Sequence, residues 1–203
     1  MSEMLPGTRI QRKNRRIILR AALEVFSRHG FRGSTVDQIA AEAGLSKPNV
    51  LYYFDSKEAI HETLLTDLLG TWIAPLREID PAGDPQEEIL AYVRRKVQMS
   101  RDFPCESRLF ANEILQGAPR IEGFIRGELK TLVDEKARLI RAWAASGRIN
   151  DLDPYHLIFS IWALTQHYAD FDAQIRMLRD DDSEPLDGAE AHLLMLFRRL
   201  LAP

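Results

Sequence analysis

Residues 34–57 read STVDQIAAEAGLSKPNVLYYFDSK, and this stretch decides the fold. Thr35 and Gln38 stand three residues apart in the capping-box pattern with which many helices begin. The apolar residues that follow recur at helical spacing, so the pattern predicts a short helix over 36–43. Gly44 ends this helix, because glycine readily adopts the left-handed conformation that closes a helix.

A second short helix follows at once. Ser46 is a good N-cap, and Pro48 suits the first turn, where a missing backbone donor costs little. This helix is predicted to reach about Tyr53. Two short helices joined by a three-residue turn with a glycine are typical of a helix-turn-helix. Its second helix enters the major groove of DNA, while the first crosses the phosphate backbone.

The side chains of this motif suit two kinds of contact with DNA. Hydroxyl and ammonium donors lie where phosphate oxygens are usually held; they are Thr35, Ser46, Tyr52, Tyr53 and Lys57. At the leading end of the second helix, Lys47 can reach guanine, Pro48 can touch a thymine methyl and Asn49 can pair with adenine. The alternative is two capped surface helices in an all-helical protein, but so many signals within one short stretch favour DNA binding.

The charge distribution gives the chain a basic end. Of the 203 residues, 45% are hydrophobic and 28% are charged, which describes an ordinary globular protein with a substantial core. The net charge is −3, yet residues 1–60 have a balance of +4 against −7 for the remainder. A mildly basic head on an acidic body fits phosphate contact at one end only.

Several classes of protein are excluded by what the sequence lacks. The single cysteine, Cys105, excludes an internal disulfide and a cysteine-rich zinc site. No apolar stretch suits a signal sequence or a membrane span, and no phosphate loop or nucleophile elbow is present. His156 and His167 lie too far apart along one helix to share a metal. We therefore expect a cytoplasmic protein that is not an enzyme and holds neither a metal nor a cofactor.

The rest of the chain predicts helices and no convincing strand. The first helix, over about 9–29, is closed by Gly30, and its apolar stripe consists of Ile18, Ala21, Ala22, Val25 and Phe26. Further helices are predicted over about 57–74 (stopped by Pro75), 85–102, 105–116, 121–146, 154–178 and 187–201, with loops at 80–84 and 179–185. The expected fold is all-α with about nine helices: a three-helix DNA-binding head (1–55) and a bundle for ligand binding and dimerisation (56–203).

One helix of the body, over 155–171, is apolar nearly all round, which indicates burial on more than one side. The bundle core covers one side, and a second copy of the chain is the natural cover for the other. We expect this helix and the last one to form a two-fold, four-helix interface. The last helix would contribute Leu193, Leu194, Leu196, Phe197 and Leu200.

Trp162 and Gln166 share one face of this helix, a turn apart. An amide among aromatic side chains is costly to bury without a partner. The amide could read the edge of a small planar ligand while the indole stacks on its face. Equally, Gln166 could bond a neighbouring backbone group, with Trp162 as ordinary core.

From Ile17 to Leu64 the chain resembles the DNA-binding domain of TetR-family transcriptional regulators. The likeness lies in AALEVFSRHGF, TVDQIAAEAGLSK and YYFDSKEAI. It implies an all-helical homodimer whose N-terminal domain binds a near-palindromic double-stranded operator. It also implies a C-terminal domain that binds a small effector and thereby changes the affinity for DNA.

A further likeness, to the pyrimidine-utilisation regulators of that family, extends to about Gln174. It lies in RLFANEILQGAP, LVDEKARLI and HLIFSIWALTQHYADF. This resemblance implies a uracil- or thymine-like effector. The implied pocket residues are Trp72, Trp162, Gln166 and Tyr168, with Glu113 as a further candidate that could instead form an internal salt bridge.

Four functional hypotheses remain open at this point. The first is a ligand-controlled, DNA-binding regulator that is expected to repress transcription. The second is a regulator of the same build with an unrelated effector. The others are an enzyme that binds nucleobases, disfavoured by the missing catalytic groups, and an architectural DNA-binding protein without an effector.

Overall fold

The computed structural model describes residues 9–179 and 183–203, which contain ten helices and no strand. The helices are α1 (Arg9–Gly33), α2 (Val36–Ala43), α3 (Lys47–Tyr53), α4 (Lys57–Arg77), α5 (Pro85–Asp102), α6 (Pro104–Leu115), α7, α8 (Pro154–Asp170), α9 (Asp172–Leu178) and α10 (Ala189–Leu201). Helix α7 comprises Glu122–Phe124, a π-helical turn at Ile125–Leu129, and Lys130–Ala145. The all-α prediction is confirmed, and ten helices is close to the predicted nine.

The helix-turn-helix forms as its capping residues predict. The Thr35 hydroxyl accepts a hydrogen bond from the Gln38 backbone N–H at 3.2 Å, and the Gln38 side chain accepts from the Thr35 N–H at 2.8 Å. Gly44 closes α2 in the left-handed conformation, with φ 64°. The Ser46 hydroxyl caps α3 by accepting from the Asn49 N–H at 3.3 Å. Because the orphan donors at each helix start need partners, Thr35 and Ser46 fix where the two helices begin, and Gly44 fixes where α2 ends.

Two helices run past the residues predicted to end them. Helix α1 continues to Gly33 across a kink at Gly30, where φ is 65° and ψ is 172°. Helix α4 continues to Arg77 through Pro75, which was expected to stop it. Pro75 and Leu76 are both buried, and this apolar burial offsets the backbone hydrogen bond that proline cannot make.

The body contains two irregularities that periodicity did not predict. The helix expected over 154–178 is divided at Phe171, where φ is −113° and ψ is 27°, into α8 and α9. The helix expected over 121–146 is interrupted near its start by the π-helical turn at Ile125–Leu129. Neither irregularity disturbs the apolar pattern, so a periodicity argument cannot detect them.

The last connection also differs from the expectation. Gly188 adopts the left-handed conformation with φ 77°, so α10 begins at Ala189 rather than at about residue 187. Of the predicted loop over 179–185, the three aspartates 180–182 lie outside the described residues.

The buried apolar side chains form two clusters, which we call the head cluster and the body cluster. The head cluster includes Ile18, Phe26, Ile39, Val50 and Phe54 of α1–α3 and their connections, and it continues into Leu65, Leu69, Trp72, Leu109 and Ile121. The body cluster is built from α5, α7, α8 and α10 with the end of α4. The predicted stripe of α1 is buried, as is Ile39 beneath it. The core of the head therefore extends along α4 as far as Trp72.

Candidate DNA-binding face and ligand cavity

The leading end of α3 is open to solvent. Lys47, Pro48 and Asn49 are all exposed. The Lys47 ammonium forms an ion pair with the Asp37 carboxylate of α2, at 2.9 Å between Nζ and Oδ2. An exposed ion pair of this kind contributes little to stability.

Two tyrosines at the end of α3 are held by α1. The Tyr52 side chain is exposed, and its hydroxyl accepts a hydrogen bond from Gln11 at 3.4 Å. The Tyr53 hydroxyl, which is half-buried, accepts from Asn14 at 2.9 Å. Sequence reasoning missed Gln11 and Asn14, although their three-residue spacing places them on one face of α1. Contacts with α1 thus orient both hydroxyls.

Lys57, predicted as a phosphate contact, has its main contacts inside the protein. Its ammonium donates to the carbonyl oxygens of Phe31 and Ser34, each at 2.8 Å. It also lies 4.3 Å from the centroid of the Phe31 ring. These bonds fix the connection that leads into α2. A contact between Lys57 and DNA stays a prediction.

A cavity lies in the body between α4, α5, α6, α7 and α8. Its interior volume is about 40 Å³, within a wider hollow of about 430 Å³ that includes open solvent. The apolar part of its wall comprises Leu69, Ile73, Leu76, Phe110, Phe124 and Leu129. The remaining wall residues are Trp72, Tyr92, Lys96, Trp162 and Gln166. Of the predicted effector contacts, the fold brings Trp72, Trp162 and Gln166 together here.

Hydrogen-bond donors are concentrated in this wall. The Trp162 indole N–H donates to the Tyr92 hydroxyl at 2.6 Å, and burial raises the pKa of Tyr92, so its own proton stays available. The Trp72 indole nitrogen is buried and has no hydrogen-bond partner among the residues that the structure describes. An unsatisfied buried donor costs about 1–3 kcal/mol, which a bound acceptor would recover.

Lys96 brings a buried ammonium to the same wall. The residue is only 2% exposed, and Nζ lies 4.6 Å from the Trp72 ring centroid. Burial lowers the pKa of Lys96 to about 8, and the charge of Asp170 opposes this shift. An ionisable group so displaced inside a hollow is a common mark of a binding site. The wall thus suits a ligand with hydrogen-bond acceptors or negative charge.

Two of the predicted effector contacts lie elsewhere. The Glu113 side chain is fully buried, and its carboxylate accepts from the Arg120 backbone N–H at 2.8 Å and from Arg120 Nη1 at 3.1 Å. Tyr168 lines a separate surface hollow that contains Arg108 and Arg176. Glu113 therefore forms the internal salt bridge that was its alternative role, and neither side chain is part of the cavity wall.

Sequence reasoning missed Tyr92, Lys96, Phe110 and Phe124. Tyr92 and Lys96 are four residues apart on α5 and therefore share a face. Lys96 directly follows Arg94 and Arg95, so the run was indistinguishable from a solvated basic stretch. Only the packing of α5 against α4 and α8 shows which of the three cations points inward.

An apolar face of α8 and α10 remains exposed. Phe159 is 48% exposed, and Met195, Leu196 and Leu200 are between 39% and 44% exposed. Two residues expected in the dimer interface are instead buried in the body cluster, namely Leu193 and Phe197. The last helix carries apolar residues on both faces. The sequence therefore did not distinguish the leucines that face the core from those that face outward.

Within residues 9–179 and 183–203, no group of three or more histidine, cysteine, aspartate or glutamate side chains is arranged to hold a metal ion. In the same ranges, no helix combines the length and the hydrophobicity needed to span a membrane.

Comparisons with known proteins agree with this architecture. Residues 18–64 match the family model for bacterial regulatory proteins of the tetR family, and residues 65–203 match the C-terminal region of YcdC-like proteins. The HTH-type transcriptional regulator RutR of Escherichia coli K12 is 49% identical over 161 residues, which cover 79% of this chain and 76% of RutR.

Solved structures show the same fold. The ketosteroid transcriptional regulator KstR2 of Mycobacterium tuberculosis superposes with a TM-score of 0.73 at 18% identity, covering all of this chain and 98% of KstR2. AibR, in complex with isovaleryl coenzyme A and operator DNA, has a TM-score of 0.68 at 17% identity, covering 90% of this chain and 97% of AibR. The family matches and the RutR identity establish more than the fold: the chain belongs to the TetR family of bacterial regulatory proteins.

Proposed function

We propose that the protein is a homodimeric, cytoplasmic transcriptional repressor whose effector is a small planar molecule such as uracil or thymine. The observation that carries this proposal is the cavity in which Gln166 lies with Trp72, Trp162 and the buried Lys96. The 49% identity to RutR supports this proposal. It agrees with the resemblance of the sequence to the pyrimidine-utilisation (Rut) regulators, which implies a uracil- or thymine-like effector.

The chemistry of the wall fits a pyrimidine base. A uracil ring carries carbonyl oxygens beside N–H groups, and a glutamine amide can both donate and accept. Gln166 would pair with one such edge. A carbonyl oxygen would accept from Lys96 or from the Trp72 indole N–H, and the indole of Trp162 offers a flat apolar surface to the ring.

The exposed face of α8 and α10 supports the dimer. Phe159, Met195, Leu196 and Leu200 would be covered by the same face of a second copy, since a two-fold interface pairs one patch with itself. Such a dimer places two α3 helices in successive major grooves, about 34 Å apart. An effector that favours a different separation of the two heads would change the affinity for DNA.

Within each head, the proposed contacts divide into two groups. Lys47, Pro48 and Asn49 would meet base edges. Phosphate oxygens would be held by Thr35, Ser46, Tyr52, Tyr53 and Lys57. The exposed leading end of α3 and the orientation of the tyrosines by α1 support this division.

Replacing Asn49 tests the base contacts. In Asn49→Ala, binding to the operator should weaken by about 1–3 kcal/mol, because a bidentate contact with adenine is lost. Binding to random duplex should barely change. The matched variant Tyr52→Phe should weaken both by a similar factor, since it removes a phosphate donor. Fluorescence anisotropy with an operator selected from random duplexes measures both, and equal losses on both DNAs for Asn49→Ala would contradict the assignment.

Replacing Gln166 tests the effector. Calorimetry should show that Gln166→Ala binds uracil or thymine at least about tenfold more weakly, through the loss of paired hydrogen bonds. Operator affinity without effector should be unchanged. Gln98→Ala is the control, because Gln98 is exposed and its amide donates to Asp102 of its own helix. Absence of heat with either base on the wild-type protein would reject a pyrimidine effector.

Lys96 makes effector binding sensitive to pH. Below a pKa of about 8 the amine is protonated and donates strongly to a ligand carbonyl. Affinity for uracil should therefore be constant at acidic pH and fall as the pH rises through about 8. Lys96→Met should remove this step, whereas Lys130→Met, on the exposed face of α7, should retain it. Calorimetric titrations with uracil from about pH 6 to about pH 8.5 measure this dependence. The same dependence of affinity on pH in Lys96→Met as in the wild type would refute the role of the ammonium.

A further inference from the structure

Arg120 lies in the turn between α6 and α7, and the buried Glu113 fixes its direction. The Glu113 carboxylate accepts from both the backbone and the guanidinium of Arg120. The side chains of Glu113 and Arg120 are 0% and 19% exposed. Because a buried carboxylate is costly without its partners, this pair is expected to move as one unit with the end of α6.

The Arg120 guanidinium reaches the DNA-binding head. It lies 3.8 Å from the centroid of the Phe31 ring, just beyond the kink of α1. The same ring contacts the ammonium of Lys57, which donates to the carbonyl oxygens of Phe31 and Ser34. Ser34 immediately precedes Thr35, the N-cap of α2. Two cations on one ring thus connect a turn of the body to the first residue of the helix-turn-helix.

The two helices that meet at this turn also line the ligand cavity. Phe110 of α6 lies in its wall, as do Phe124 and Leu129 of α7. Phe124 packs against both the head cluster and the body cluster. The π-helical turn at Ile125–Leu129 follows directly, and such turns interrupt the regular ladder of a helix. A ligand that displaces Phe124 therefore acts four residues from Arg120.

We propose that Arg120 is a positioning residue that transmits occupancy of the cavity to the helix-turn-helix. A change at Phe124 shifts the start of α7 and hence the Arg120 guanidinium. The stacked Phe31 ring follows, and Lys57 passes the shift to Ser34 and the start of α2. This inference rests on the proposed function, because a route between the cavity and the head matters only for an effector-controlled DNA-binding protein.

Amide hydrogen exchange in α2 tests the route without knowledge of the ligand. Phe124→Ala changes the cavity wall directly, and Leu129→Ala is a second wall change should the first variant fold poorly. In the wild-type background we expect either change to alter exchange at residues 34–40 by about five- to tenfold, which is within the usual range of coupling between sites. In an Arg120→Met background the same wall change should alter exchange at residues 34–40 by less than about twofold.

Two further backgrounds separate transmission from loss of stability. Phe31→Leu removes the ring but leaves the Glu113–Arg120 pair intact, and it should abolish transmission as Arg120→Met does. Arg126→Met is the matched control, because Arg126 is exposed and pairs with Glu122; it should leave transmission unchanged. Transmission that persists in both Arg120→Met and Phe31→Leu would overturn the proposal. The proposal would also be overturned if neither wall change altered exchange at residues 34–40 in the wild-type background.

Adding uracil in the same exchange experiment separates the proposed pyrimidine effector from the proposed role of Arg120. Addition of uracil to the wild-type protein should change exchange at residues 34–40 in the same direction as one of the wall changes. If uracil has no effect while the wall changes are transmitted through Arg120, the pyrimidine effector is rejected and the role of Arg120 stands. If uracil acts equally in the wild type and in Arg120→Met, the effector stands and Arg120 is rejected.

Discussion

The burial of the Trp72 indole at the junction of head and body is the constraint on which the rest of the structure depends. Its ring belongs to the apolar cluster that begins under the helix-turn-helix, and it also forms part of the cavity wall. The Lys96 ammonium lies over the same ring. A ligand that contacts Trp72 in this wall touches the continuous core that supports the DNA-binding helices. Close packing makes such a core resist gradual deformation, so changes at one end are felt at the other.

Helix α4 extends from the DNA-binding head to the cavity. Helix α4 has 21 residues, a length of about 30 Å, and it carries Lys57 at one end and Trp72 toward the other. Lys57 does more than mark the start of the helix, since it bonds the chain that enters α2. The turn bearing Arg120 supplies a second link, and it reaches the same connection through Phe31. The cavity and the head are thus joined in two ways. Apolar side chains of α4 form one connection, and the contacts of Arg120 and Lys57 with the Phe31 ring form the other.

Sequence reasoning was most successful where local chemistry decides the structure. The caps at Thr35 and Gly44 predicted both ends of α2, and Ser46 predicted the start of α3, because a helix end is determined by groups within four positions of it. The break at Phe171 and the π-helical turn of α7 were missed, since neither changes the apolar pattern. For the cavity, Trp162 and Gln166 share one helix and were found together. Tyr92, Lys96 and Phe124 come from other helices, and only tertiary packing brings them to the same wall.

Thermodynamic reciprocity provides the most direct test of effector control. If a ligand in the cavity changes the affinity for DNA, then DNA must change the affinity for that ligand by the same factor. Calorimetry can compare uracil binding to the free protein and to the protein saturated with operator DNA. We predict affinities that differ by about five- to 150-fold, matching the shift in operator affinity caused by uracil. Measurable uracil binding with equal affinity in the free and DNA-bound protein would contradict control of the helix-turn-helix by the cavity.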